Sequence, residues 1–171
     1  MSFDLYFLAH IPGRTWIEAM EDLEDIHGEQ PLSDADLEAW ARSLDALGPV
    51  LPGAELHSGD QSRSLDHAET GIQLGFAADE ISLSVPYGYD GAEAEPLTEL
   101  LRRVVSVVEA ETALVAYDPQ ADAPFLPMGA EAAPAAFDQV HRLFVDPAPT
   151  SGTARPTRPT RRGLRGLRRA D

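Results

Sequence analysis

"GIQLGFAADEISLSVPYG", residues 71–88, alternates apolar and polar side chains on either side of a short polar break. In an extended segment Ile72, Leu74 and Phe76 share one face, and Gln73 and Gly75 take the other. Beyond "AADE", Ile81, Leu83 and Val85 repeat the pattern against Ser82 and Ser84. A period of two on both sides of a turn predicts an antiparallel hairpin with one dry face and one wet face. Pro86 and Gly88 end its second strand and leave Tyr87 and Tyr89 in the following loop. Such a hairpin cannot bury its dry face alone, so further strands and a helical layer are required.

Both are found outward from it. "SFDLYFLAH" (2–10) reads as a strand with Phe3, Leu5 and Phe7 on one side and Asp4 and Tyr6 on the other. After "IPG", the pair Thr15 and Glu18 forms a capping box for a helix carrying Trp16, Met20, Leu23 and His27. Gly28 ends that helix. A second starts at Ser33, with Asp36 three residues on, and buries Leu37, Trp40, Ala41, Leu44 and Leu47 before Gly48-Pro49 stops it. Residues 49–70 are polar and turn-rich and read as a loop with at most a short irregular strand.

Downstream of the hairpin, Pro96 suits the first turn of a third helix, whose Leu97, Leu100, Leu101, Val104 and Val108 make a wide apolar stripe. "ALVAYDPQ" is then a strand, "ADAPFLPMG" a loop, and Pro134 opens a last helix bearing Phe137, Val140, His141 and Phe144. The order predicts an α+β fold: a ferredoxin-like βαββαβ sandwich with an extra helix in the first crossover, a C-terminal helix, and helices on one face of the sheet. Its first and third strands would be central neighbours.

Composition bounds the chemistry. A chain of 171 residues, 43% of them hydrophobic, suits one domain. It has no cysteine, which excludes disulfides, thiolate metal sites and cysteine nucleophiles. All thirteen basic residues are arginine, so no Schiff-base lysine exists. "LYFLA" is too short to span a bilayer and lacks a basic flank, so a cytoplasmic protein is expected. Seven arginines and one acid fall in residues 147–171, which leaves a net charge of −22 on residues 1–146. The acidic domain repels nucleic acid and attracts basic partners. The tail, rich in arginine and proline, has a composition that predicts disorder. Its Arg161, Arg162, Arg165, Arg168 and Arg169 are the candidate contacts to nucleic acid or acidic lipid, or to the chain's own acidic domain.

No Walker, G-x-S-x-G, H-E-x-x-H or G-x-G-x-x-G pattern occurs. Ser58 and Ser62 lack any nucleophile context. His57 and His67 lie near Asp60, Asp66 and Glu69, but their spacing matches no ligand pattern, and a solvated polar loop is the ordinary reading. His27 and His141 sit on or beside apolar helix faces, where histidine is usually structural. No catalytic residue, metal or cofactor is therefore assigned. Asp118-Pro119 in "LVAYDPQ" is a good start for a type I turn.

The quoted segments "MSFDLYFLAH", "GIQLGF", "VPYGYDG" and "LVAYDPQ" together resemble a family of small bacterial proteins. Its members open M-S-[FY]-D-L and carry G-I-Q, V-P-Y and Y-D-P-Q motifs, and the likeness runs from residue 1 to about 120. Some proteins with this opening look like immunity or antitoxin components, which implies a protein partner. It carries over no catalytic residue, and points to a shared polar rim made of Asp4, Tyr6, Gln73, Tyr117, Asp118 and Gln120. The expected function is a non-enzymatic binding module for a protein partner, a basic one by charge. The rivals are a small hydrolase or ligand-binding domain using Asp4, Tyr6, Gln73 and Asp118, and a regulatory protein acting through its arginine tail.

Overall fold

A computed structural model describes residues 2–25, 31–78, 80–89, 91–126 and 130–145. His27, the side chain of His141, and the tail with Arg161, Arg162, Arg165, Arg168 and Arg169 lie outside the described residues. The chain runs β1 (Ser2–Leu8), α1 (Trp16–Asp25), α2 (Asp34–Leu47), β2 (Glu55–Ser58), β3 (Ser62–His67), β4 (Ile72–Ala77) and β5 (Ile81–Pro86). It continues with α3 (Gly91–Thr112), β6 (Val115–Asp118), β7 (Ala123–Pro124) and α4 (Ala130–Val145).

All strands join one antiparallel sheet of order β2-β3-β4-β5-β1-β6-β7. The β4–β5 hairpin is present in the expected register, with Leu74 opposite Leu83 and Phe76 opposite Ile81. β1 lies between β5 and β6, so the first and third expected strands are neighbours.

The mixed α+β class therefore stands, but the strand order is not that of a four-stranded ferredoxin-like sandwich. Residues 49–70, expected as a loop, contribute β2 and β3 beyond β4, and the loop after β6 contributes β7. "SRSLDH" in β3 holds one aliphatic residue, Leu65, so its alternation was nearly silent in hydropathy. Pairing with β4 along its whole length, from Ser62 opposite Ala77 to His67 opposite Ile72, supplies what propensity does not.

The inward face of the sheet carries Phe3, Leu5, Phe7, Leu65, Ile72, Leu74, Phe76, Ile81, Leu83 and Val85, all buried. Against it pack Trp40 and Leu47 of α2, Leu97, Leu101, Val104, Val105 and Val108 of α3, and Phe137 of α4. Each such side chain contributes about 1.5–3 kcal/mol by leaving water, the main term holding the layers together. Both capping boxes form: Thr15 N–H donates to Glu18 Oε2 at 2.8 Å, and Ser33 N–H to Asp36 Oδ2 at 2.9 Å.

Three local expectations change. Pro96 and Pro134 lie inside α3 and α4, which begin earlier, at Gly91 and Ala130. Ala94 and Ala133 are buried, so packing extends each helix back past its proline. Gly48 does follow α2, but in a right-handed conformation, and its N–H donates to Leu44 O. Finally, helices cover both faces. Trp16 of α1 stacks on Tyr117 at 5.9 Å and 16°, and Tyr117 is the cross-strand partner of outward-facing Tyr6. Among the described residues only one end of the outward face is covered in this way.

Candidate functional site

Register fixes which side chains share the outward face. Glu55, Asp66, Gln73, Ser84 and Asp4 are successive cross-strand neighbours from β2 to β1. At about 4.8 Å per strand, this row spans about 19 Å. A second row runs His57, Ser64, Gly75, Ser82, Tyr6 and Tyr117. His57 Nε2 lies 3.1 Å from Asp66 Oδ2, linking the rows at the β2 end. Near the other end is a shallow depression of about 290 Å³, lined by Ser2, Gly71, Gln73, Ser84 and Pro86. Ser2 Oγ donates to Asp4 Oδ2 at 2.9 Å, holding that carboxylate on the same face.

Asp4, Tyr6 and Gln73 thus sit together on the outward face, but the expected rim divides at β6. Tyr117 points outward beneath Trp16 and is buried, and its hydroxyl donates to Asp122 Oδ1 at 2.9 Å. Burial first, then the Asp122 carboxylate, pushes this phenol up to about 12. Asp118 follows Tyr117 along β6 and so faces the other side of the sheet, where it is 2% exposed. Its Oδ1 accepts from Gln120 N–H at 2.8 Å and Ala121 N–H at 3.3 Å, a turn-forming aspartate. Gln120 Oε1 accepts from the Tyr87 hydroxyl at 2.5 Å, which ties the turn to the core. The β-strand period of two explains the split: adjacent residues cannot share a face.

Burial raises the Asp118 carboxyl above its usual range, and the two backbone donors offset this only in part. A carboxyl whose folded pKa exceeds its unfolded value, about 3.9, lends stability below that value and loses it as pH rises through the raised one. Asp118→Asn keeps an oxygen for the turn and removes that loss. Its stability relative to the parent, followed by urea denaturation, should rise as pH climbs above the usual carboxylate range. Asp118→Ala, which leaves the N–H groups unmatched, should be less stable by about 1–3 kcal/mol.

A larger cleft of about 430 Å³ lies between α2, the end of α3 and the β4–β5 turn. Phe7, Phe76, Ile81 and Leu114 floor it, with Asp36, Arg42, Glu80 and Glu111 at the rim. Two of its acids have structural work: Asp36 caps α2, and Glu111 Oε2 accepts from Arg42 Nε at 2.9 Å. None of Asp4, Tyr6, Gln73 or Asp118 lines it.

The histidine-rich stretch is split by the sheet as well. His57 is outward and exposed, while His67 is inward and buried with Nδ1 2.8 Å from Thr70 Oγ1. Among the described residues no three or more histidines and acids gather as metal ligands. No described helix is long and apolar enough to cross a membrane. Glu55 and Asp66 were missed as members of the acidic row. The period of two in "SRSLDH" was the signal that could have revealed Asp66, while Glu55 stands in a strand with no buried residue.

No family model, curated protein or solved structure matches the chain.

Proposed function

We propose that the protein is a non-enzymatic binding module that holds a basic protein partner against the outward face of its sheet. The observation that carries this reading is the acidic row from Glu55 to Asp4, which α2, α3 and α4 leave open because they pack on the opposite face. A net charge of −22 on residues 1–146 would draw a basic partner to the domain and favour it over acidic competitors. The motif resemblance adds immunity or antitoxin action as the concrete form of such binding. A hydrolase built on Asp4, Tyr6, Gln73 and Asp118 is less well supported, since Asp118 and Asp4 occupy opposite faces.

Capture from a lysate of the source cells tests this reading. The triple variant Asp4→Asn, Glu55→Gln, Asp66→Asn keeps side-chain shape and removes charge. At physiological salt it should retain a captured basic partner roughly tenfold less well than the parent. Equal retention of the same protein by both would refute the assignment of the face.

A further inference from the structure

β2 ends the sheet, and its register shows which backbone groups are left over. Gly59 N–H donates to Ser62 O at 2.9 Å and closes the β2–β3 turn. Hydrogen-bonded pairs alternate along an antiparallel ladder, so His57 with Ser64 and Glu55 with Asp66 are the bonded pairs that follow. Leu56 with Leu65 and Ser58 with Arg63 fall between them. The N–H and C=O groups of Leu56 and Ser58 therefore point away from β3, toward the side where no strand of the described residues follows.

Sheet edges are usually blunted by proline, lysine, a bulge or a covering element. "ELHS" is short and carries one acid, Glu55, but it holds no proline or lysine, and all four of its residues are exposed. Leu56 stands opposite Leu65, which is 3% exposed, yet is itself 56% exposed. The dry face of the sheet thus continues one residue past its covered part. On the other face of the same edge stand Glu55 and His57, with Asp66 of β3 behind them.

We propose that β2 is a docking edge for an extended basic segment of a protein partner, which adds as an eighth strand. The inference rests on the reading of a basic partner above. An apolar residue of that segment would lie opposite Leu56, bond to its backbone and cover its side chain. The residues on either side of it point outward, one opposite Glu55, which arginine or lysine would meet, and one opposite His57, whose Nε2 lies 3.1 Å from Asp66 Oδ2. Charge selects this occupant over a second copy of the chain, because pairing two β2 edges would bring together two domains that each carry −22 on residues 1–146. Main-chain bonding would give affinity and the alternate side chains specificity.

The test uses a fluorescein-labelled synthetic peptide of alternating valine and arginine, and a twin with N-methylated valines. Both carry the same charge, but only the first can donate backbone hydrogen bonds opposite Leu56 and Ser58. Fluorescence anisotropy on the full chain should show the N-methylated peptide binding at least about tenfold more weakly, and Leu56→Ala weakening the parent peptide several-fold. Hydrogen exchange should show the Leu56 and Ser58 amides gaining protection with the parent peptide only. Equal binding of both peptides would overturn the edge while leaving the acidic face intact. Binding of neither at low salt would overturn both. A peptide-free dimer that Leu56→Asp dissociates would assign the edge to a second copy and also overturn the proposal.

Discussion

Phe3→Ala is expected to lower folding stability by about 3–5 kcal/mol, the largest effect of any single substitution considered for this fold. Phe3 is 1% exposed, on the interior strand β1, which β5 and β6 flank. Its ring lies 5.2 Å from that of Phe137, 6.2 Å from Tyr87 and 6.2 Å from Phe125. Those partners come from α4, the loop after β5 and the segment after β7, three parts of the chain that meet at this ring. Truncation would leave a cavity bounded by separate elements, each held elsewhere, so it cannot readily collapse. The melting temperature should fall by roughly 10–20 °C. A loss below about 1 kcal/mol would show that the aromatic cluster does not seat α4 on the sheet as described.

Gly71→Ala should be the second most damaging change, at about 2–4 kcal/mol. Gly71 has φ +65°, a conformation that costs a non-glycine residue about 1–2 kcal/mol on its own. An added Cβ would also lie 2.8 Å from both Cδ and Cγ of Pro86. Pro86 cannot simply swing aside, since it ends β5 opposite Ser2 of β1. Gly53→Ala separates the two contributions. Gly53 has φ +81° but nothing within 4 Å of the added carbon, so it should lose only the backbone part. Equal losses at the two positions, measured by urea denaturation, would contradict the close approach of Gly71 to Pro86.

Sequence pattern and observed structure part most clearly at β3 and β6. β4 and β5 were legible because three large apolar residues in each alternate with small or polar ones. β3 places Arg63, Leu65 and His67 on its inward side, a single aliphatic residue among them, so its strand character comes from the partner strand rather than from its own side chains. β2, exposed throughout, left no periodic trace at all. The starts of α3 and α4 were misplaced because proline marks a permitted first turn, whereas the buried alanines upstream carry little signal of their own.

Asp118 shows the same limit at the site. Its sequence context, an acid before proline, identified the turn correctly but could not say which face the carboxylate takes. That required the register of β6 against β1, in which Tyr6 pairs with Tyr117. Once that pair is fixed outward, Asp118 must turn inward. The polar rim then moves along the sheet, away from Asp118 and Gln120, to Asp4, Gln73, Ser84, Asp66 and Glu55.

Whether the open acidic face meets a basic partner, as proposed, is read directly by backbone amide NMR of the isotope-labelled protein during titration with a basic protein recovered from the lysate. The largest shift changes are expected at Asp4, Ser84, Gln73, Asp66 and Glu55, reduced as salt is raised. Changes confined to the cleft around Ala39, Arg42 and Glu111, with the outward row unmoved, would contradict the proposal.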